Sequence, residues 1–278
     1  MNRIAKLGSA LLMSSILMGC TSGTSAPAEN QNANQDTMAA SGKLNTSDVP
    51  LYGAEVYSKE KVKFGKFVVR MKMVSNPGVV SSFFTYDNES WQGGIPWREI
   101  DIEVIGKNPN QFQTNLITGD SANRIHSENI HELANMDEFH EFHEFTVIWT
   151  PDKISWLVDG KEVYTERAED SQQVIDMRSS PQSYRMNLWI SEAAEWVGKF
   201  NKEDLPLYQY VDWIEYHSYE NGEFELDWRD DFTSFDSERW GKGDWGFDSN
   251  LVTFAPENVI IKDDMLILGL TAGSKGIK

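Results

Sequence analysis

The chain has 278 residues and a formal net charge of −18 at pH 7, with 43 Asp and Glu against 25 Lys and Arg. This balance argues against nucleic acid and anionic membrane surfaces as partners, because binding phosphates needs clustered basic side chains. Cys20 is the only cysteine, which excludes disulfides and thiolate chemistry. The ten Trp, nine Tyr and 14 Phe are compatible with a neutral polysaccharide, since aromatic rings stack on sugar rings.

Residues 1–20 are typical of a secretory signal peptide, with basic Arg3 and Lys6 followed by an apolar run. The sequence Leu-Met-Gly directly before Cys20 resembles the bacterial lipobox, in which the cysteine is lipidated. The alternative is a chance cysteine after an ordinary signal. We expect an exported protein, lipid-anchored to the bacterial cell envelope. Thr21, rather than Asp, after the cysteine favours the outer membrane, where the domain can face the cell surface.

Residues 21–49 are rich in Ser, Thr, Ala, Asn, Gln and Gly, with almost no aromatic or branched apolar side chains. Such a segment cannot bury enough apolar surface to offset its ordering entropy, so we expect a flexible tether. Residues 50–278 then fit a single all-β domain, and no second boundary is evident.

The remaining sequence alternates apolar and polar residues with a period of two, which predicts strands. An Asp-Gly pair at Asp159 and Gly160 predicts a tight hairpin. Helical periodicity is weak, with one short helical turn predicted near residues 130–138. Many short strands separated by turns indicate an antiparallel β-sandwich or jelly roll. The predicted strands cover residues 64–74, 79–86, 98–105, 112–118, 143–150, 153–165, 184–191 and 210–219.

One predicted strand carries three carboxylates, Glu99, Asp101 and Glu103, on a single face. Hydrolysis of a glycosidic bond needs one carboxylate near the anomeric carbon and one carboxylic acid that protonates the leaving oxygen. The outer two Cα atoms lie about 13 Å apart on a strand, and long side chains can lean to the retaining separation of about 5–5.5 Å. Spacing alone leaves the wider inverting geometry open. The alternative is an acidic strand on a solvated sheet face, or a calcium-binding edge. Trp97 and the apolar residues that alternate with the carboxylates argue against it, because they place the strand inside the sheet.

The sequence WREIDIEVIG at residues 97–106 matches the signature of glycoside hydrolase family 16. Its uninterrupted E-x-D-x-E form resembles the licheninase branch rather than the branch with an extra bulge residue, which includes laminarinases, agarases and carrageenases. The resemblance extends over residues 51–270. The segment 227–271, which opens the domain in most licheninases, closes it here, and this resembles the circularly permuted type. The resemblance implies a concanavalin A-like jelly roll with a concave cleft, and we expect no strand to be missing.

The same resemblance implies roles for individual residues. Glu99 is the expected nucleophile, Glu103 the general acid/base and Asp101 the residue that assists them. For Trp196, and less so for Trp189 and Trp245, core packing is an alternative to sugar binding. The positions that match substrate-binding residues are Phe84, Tyr86, Asn88, Gln113, Asn115, Arg185, Asn187, Trp189, Trp196, Asp244, Trp245, Phe247 and Asp248.

The family also has a structural calcium site, and the resemblance implies that Asp212 supplies its carboxylate ligand. Asp231 and Asp264 occupy the other matching positions and would contribute mainly backbone carbonyls, since calcium takes oxygen ligands. The alternative is that Asp212 is an ordinary surface aspartate beside Trp213. No cofactor is expected for catalysis.

Two segments depart from the family pattern, residues 87–96 beside the cleft and residues 120–140, and we assign no role to the second. The sequence predicts a monomeric retaining endo-glucanase that cleaves mixed-linkage β-1,3-1,4-glucan. The alternatives are a β-1,3-glucanase, another glucan hydrolase or transglycosylase of the family, and a glycan-binding module without activity.

Overall fold

The computed structural model describes residues 49–133 and 138–278. The predicted signal peptide, Cys20 and the predicted tether up to residue 48 lie outside the described residues. All described residues belong to one compact unit. None of the helices within the described ranges has the length and apolar character needed to span a membrane.

The described chain is built almost entirely of β-strands. Two short helices, α1 (Gln172–Asp176) and α2 (Ala194–Val197), and single 3-10 turns at Glu138–His140, Met177–Ser179, Lys202–Asp204 and Pro256–Asn258 connect them. The strands are β1 (Leu51–Ser58), β2 (Gly65–Lys72), β3 (Val79–Tyr86), β4 (Glu99–Ile105), β5 (Gln111–Gly119), β6 (Arg124–His126), β7 (Asn129–Glu132), β8 (His143–Trp149), β9 (Lys153–Val158), β10 (Lys161–Arg167), β11 (Ser183–Ile190), β12 (Leu207–Glu220), β13 (Glu223–Asp230), β14 (Trp240–Lys242), β15 (Thr253–Phe254), β16 (Val259–Lys262) and β17 (Met265–Ala272).

The strands form two sheets, and the predicted antiparallel sandwich is confirmed. The first, called the cleft sheet, has the order β14-β1-β11-β3-β4-β5, with β6 and β7 both paired to the outer edge of β5. The second, called the outer sheet, has the order β10-β9-β8-β2-β12, and β17 and β13 pair with successive parts of β12. The two sheets meet where the start of β1 pairs with β15 and β17.

The core lies between the two sheets, because each contributes one apolar face. Strand β2 alternates buried and half-buried residues, as a strand with one covered face should. Strands β3 and β11 differ, since nearly every residue in them is buried. Their second face lines the cleft described below, and its residues are packed closely enough that most have little exposed surface.

The closing segment completes both sheets. Strand β14 extends the cleft sheet beside β1, and β17 pairs with β12 of the outer sheet. Trp240 and Phe254 of this segment are almost fully buried in the core. The segment is therefore an integral part of the sandwich.

Two local predictions have opposite outcomes. At the predicted hairpin, Asp159 and Gly160 have φ of 50° and 74°, the positive values that a two-residue turn of this kind needs, and they join β9 to β10. The helical turn predicted near residues 130–138 is wrong where it overlaps β7, because residues 129–132 pair with β5. Backbone pairing to an available sheet edge outweighed the weak local periodicity.

Candidate active site

The three carboxylates of β4 lie on the cleft side of the sheet. The alternate residues of the strand, Ile100 and Ile102, are fully buried in the core, which turns Glu99, Asp101 and Glu103 to the opposite face. The neighbouring strands place Tyr86 and Ile117 beside Glu99, Phe84 and Asn115 beside Asp101, and Ser82 and Gln113 beside Glu103.

Each carboxylate has a different hydrogen-bonding environment. The indole Nε1 of Trp97 donates to Oε2 of Glu99 at 2.7 Å, and the amide Nε2 of Gln113 donates to Oε2 of Glu103 at the same distance. Asp101 lies between them and is 3% exposed. Its backbone carbonyl accepts a hydrogen bond from the indole of Trp156, which reaches it from the outer sheet. The middle of the triad is therefore fixed from the core side.

Burial raises the pKa of all three carboxyl groups. It raises the pKa of Glu99 to about 7, although the hydrogen bond from Trp97 and the charge of Arg124 act in the opposite direction. It raises the pKa of Glu103 to about 8, against the hydrogen bond from Gln113. The pKa of Asp101 lies well above its usual value through burial and the flanking glutamates. Near neutral pH, the site can hold one carboxylate and one carboxylic acid together, the pair that glycosidic cleavage requires.

The carboxylates line a cleft of about 940 Å³. All but one of the predicted substrate-binding residues line it with them, and the exception is Asp244. The residues that the structure brings together are Phe84, Tyr86, Asn88, Gln113, Asn115, Arg185, Asn187, Trp189, Trp196, Trp245, Phe247 and Asp248. The cleft also contains side chains that sequence reasoning missed, among them Glu55, Trp91, Arg124, His126 and Glu128.

Arg185 is held in the cleft wall by a buried ion pair. Its Nη1 donates to Oε1 of Glu55 at 2.6 Å, its Nε to the hydroxyl of Ser183 at 2.9 Å, and its Nη2 to Oδ1 of Asn88 at 2.7 Å. Burial raises the pKa of Glu55, with the guanidinium acting against that rise. The signal that could have identified Glu55 is a single carboxylate inside an otherwise apolar strand, a position that needs a buried partner.

Aromatic rings supply the apolar surface of the cleft. The rings of Trp189 and Phe247 lie 4.9 Å apart, and those of Trp189 and Trp196 lie 6.2 Å apart. Trp189 is nearly buried, whereas 43% of Phe247 and 67% of Trp91 are exposed. Trp196 lines the cleft and also packs against the core, and its role in sugar binding stays a prediction.

Residues 121–128, which belong to the segment with no role assigned from the sequence, contribute one wall of the cleft. Strand β6 pairs with the end of β5, and the guanidinium of Arg124 lies 4.7 Å from the ring centre of Trp97. Nδ1 of His126 lies 3.3 Å from the amide nitrogen of Asn115, and burial lowers the pKa of this histidine. A strand of three residues is too short to be recognised by periodicity, which explains the omission.

The structure does not confirm the predicted calcium site. The carboxylate of Asp212 pairs with the guanidinium of Arg70, and that of Asp231 pairs with Arg229. Asp264 lies in the turn between β16 and β17. Within residues 49–133 and 138–278, no three His, Cys, Asp or Glu side chains form a group that could hold a metal ion.

Comparison with known proteins gives consistent results. The family model described as glycosyl hydrolases family 16 matches residues 22–229. A beta-glucanase of Fibrobacter succinogenes is 44% identical over 240 residues, which cover 84% of this chain and 67% of that protein. A beta-glucanase of Bacillus subtilis is 34% identical over 190 residues, covering 66% of this chain and 73% of that protein. The solved Bacillus licheniformis beta-glucanase aligns with a TM-score of 0.49 and 34% identity, covering 58% of this chain and 70% of that one. Because the family model spans most of the chain, the protein is a glycoside hydrolase and belongs to family 16.

Proposed function

We propose that the protein is a retaining endo-β-glucanase that hydrolyses β-1,4 bonds in mixed-linkage β-1,3-1,4-glucan. The observation that carries the proposal is the row of three carboxylates on β4, with Asp101 buried and Glu99 and Glu103 half-buried, in a cleft walled by aromatic rings, amides and Arg185. The naming of similar proteins as beta-glucanases supports the polymer class. The uninterrupted E-x-D-x-E sequence, which resembles the licheninase branch, supports the linkage preference.

In the first step, the carboxylate of Glu99 attacks the anomeric carbon, and the bond to the leaving glycosidic oxygen breaks. Glu103 transfers its proton to that oxygen, and a covalent glycosyl ester forms on Glu99. In the second step, Glu103 takes a proton from water, and the water oxygen displaces Glu99 from the anomeric carbon. Two inversions give net retention. Burial raises the pKa of Glu103 to about 8, so this residue can hold the proton that the role of acid requires.

Asp101 assists both glutamates from the middle of the row. Burial and the flanking glutamates raise the pKa of Asp101, which favours its protonated form when a neighbour is ionised and opposes three adjacent negative charges in the row. As Glu103 loses its proton in the first step, Asp101 limits the repulsion that the new carboxylate experiences. Arg185, fixed by Glu55, presents donors to sugar hydroxyls, and the aromatic rings contact the apolar faces of the glucose units.

The substrate is tested by reducing-end release from barley mixed-linkage glucan, laminarin, carboxymethyl cellulose and xyloglucan. We expect release from the mixed-linkage glucan, and its absence contradicts the proposal. Release from laminarin alone indicates a β-1,3-glucanase. Oligosaccharide transfer without new reducing ends indicates a transglycosylase, and binding without turnover indicates a glycan-binding module.

The roles of the glutamates are tested by replacement. Glu99→Ala should abolish turnover, and azide should restore it on an activated glucoside with formation of the α-glycosyl azide, because azide takes the vacated place of the nucleophile. Glu103→Ala should lose most activity on glucan but keep more on a substrate whose leaving group needs no proton. Formation of the α-glycosyl azide by Glu103→Ala, and not by Glu99→Ala, would reverse the two roles, whereas the β-glycosyl azide from Glu103→Ala is the product expected when the acid/base is removed.

We further propose that the mature protein is lipid-anchored through Cys20 to the bacterial outer membrane. The support is the lipobox-like sequence before Cys20 and the tether-like composition of residues 21–49. Cys20→Ser should move the protein from the membrane fraction to the soluble fraction and abolish incorporation of labelled palmitate. Unchanged fractionation would refute the anchor.

A further inference from the structure

The amide of Gln113 connects Glu103 to a tryptophan at the edge of the cleft. Its Nε2 donates to Oε2 of Glu103 at 2.7 Å, and its Oε1 accepts a hydrogen bond from the indole Nε1 of Trp196 at 3.1 Å. Gln113 is 1% exposed, so water does not compete for either end of the amide. Both polar ends of one buried side chain are thus occupied by protein groups.

The tryptophan determines which way the amide of Gln113 faces. An indole N–H can only donate, so it must meet the carbonyl oxygen of the amide, and the amide NH₂ is left for Glu103. The reverse orientation would place two donors together at Trp196 and two acceptors together at ionised Glu103. Because the indole of Trp196 can only donate, only one orientation of the Gln113 amide satisfies both of its hydrogen bonds.

Trp196 is held in place by contacts that do not involve Gln113. It lies in α2, whose last residue, Val197, accepts a backbone hydrogen bond from Gly78 at 2.8 Å. The ammonium group of Lys107 donates to the carbonyl of Glu195 in the same helix. The position of Trp196 therefore does not depend on the amide that its indole contacts.

We propose that Trp196 is a positioning residue for the acid/base step. Through Gln113 it keeps the proton of Glu103 on the carboxyl oxygen that the amide does not contact. If the amide were reversed, its oxygen would accept that proton, and the proton would be withheld from the glycosidic oxygen. This inference rests on the proposed role of Glu103, and it is distinct from a stacking role of the indole ring.

The other groups near Glu103 do not provide this orientation. Glu99 and Asp101 on its own strand and Glu128 beyond β6 are all acidic, and Ser82 is its partner on β3. Burial and the acidic neighbours Glu99 and Glu128 raise the pKa of Glu103, and the amide N–H of Gln113 acts in the opposite direction. Reversal of the amide should therefore move this pKa upwards.

Trp196→Phe keeps an aromatic ring but removes the N–H, and it tests the proposal. We expect kcat on mixed-linkage glucan to fall about tenfold with KM nearly unchanged, and the alkaline limb of kcat/KM to move up by about one pH unit, the size expected of one hydrogen bond. Trp213→Phe, which removes an indole N–H on β12 of the outer sheet, at a residue that does not line the cleft, is the control and should leave the alkaline limb in place. A rise in KM with an unchanged pH profile in Trp196→Phe would overturn the proposal in favour of stacking alone.

A double-mutant cycle with Gln113→Met distinguishes an effect of Trp196 that passes through the Gln113 amide from local damage to the fold. Once the amide is absent, Trp196→Phe should have no further effect on the alkaline limb. Additive effects of the two substitutions would overturn the proposal. Circular dichroism and thermal unfolding of each variant establish that the changes compare folded proteins.

A titration without substrate distinguishes failure of this inference from failure of the proposed function. With ¹³C-labelled glutamate carboxyls, the Glu103 resonance is the one missing in Glu103→Gln. Its pKa should be higher in Trp196→Phe than in the unmodified protein, and an equal pKa would overturn the inference. If the unmodified protein hydrolyses no glucan, the proposed function fails, while this titration still decides whether Trp196 orients the amide.

Discussion

Glu99→Gln should stabilise the protein at alkaline pH while it removes the proposed nucleophile. Burial raises the pKa of Glu99 from 4.5 to about 7, so the folded state holds this proton more tightly than the unfolded chain does. A group with a raised pKa contributes stability below pH 4.5 and loses it as the pH rises towards 7. The shift corresponds to about 3 kcal/mol, the cost of ionising Glu99 in the folded state at pH 8.

The amide introduced by Glu99→Gln would carry no charge at any pH, and its oxygen can still accept the hydrogen bond from Trp97. We therefore expect the free energy of unfolding to rise by about 2 kcal/mol at pH 8, where removal of the charge outweighs the cost of about 1 kcal/mol for an imperfectly paired NH₂ group. At pH 4, where Glu99 is protonated, only that cost remains, and we expect the free energy of unfolding to fall by about 1 kcal/mol. Urea unfolding at both pH values measures this difference. Glu162→Gln, at an exposed residue of β10, is the control and should show no such pH dependence. An equal effect of Glu99→Gln at pH 4 and pH 8, or a loss of stability at pH 8, would refute the reasoning.

Three further changes test other parts of the structure. Ile102→Ala should lower the free energy of unfolding by about 2–5 kcal/mol in urea titration, because this side chain is fully buried. Arg185→Met should cost about 3–5 kcal/mol at pH 7 by leaving Glu55 without its partner, and the double variant with Glu55→Gln should regain much of that loss. Trp91→Ala, at a residue that is 67% exposed, should leave the melting temperature unchanged but raise KM for glucan, measured by reducing-end release.

The alternating pattern of the sequence was sufficient to predict nine of the 17 strands in the described residues, β2–β5 and β8–β12, and the site on β4. It did not predict β1, β6, β7 or β13–β17. Period two fixes which side chains share a face, so the triad and its buried alternates follow from residues 99–105 alone. The Asp-Gly hairpin is similarly local. Strands β3 and β11 were predicted as strands, but their burial on both faces depends on the cleft and on side chains from other elements. The periodicity within one strand does not show which side chains from other elements bury its second face.

The missed parts of the site depend on contacts between distant segments. Glu55 becomes a cleft residue because β1 pairs with β11, which brings it to Arg185 130 positions further along the chain. Arg124 and His126 lie in the cleft because the three-residue strand β6 pairs with the outer edge of β5. In each case the signal is a pairing between strands, and the sequence of either strand by itself does not specify its partner.

The two faces of β4 explain how the chain tolerates three neighbouring carboxylates in a buried site. Full burial of an apolar side chain such as Ile100 contributes about 1.5–3 kcal/mol, which is comparable to the cost of about 3 kcal/mol for an ionised Glu99 at pH 8. The strand therefore remains in the sheet when the site ionises. This compensation depends on register, because a shift of one residue would turn the carboxylates into the core and the isoleucines into the cleft. The same alternation that holds the strand in the fold also places Glu99 and Glu103, the proposed nucleophile and acid/base, on the face that lines the cleft.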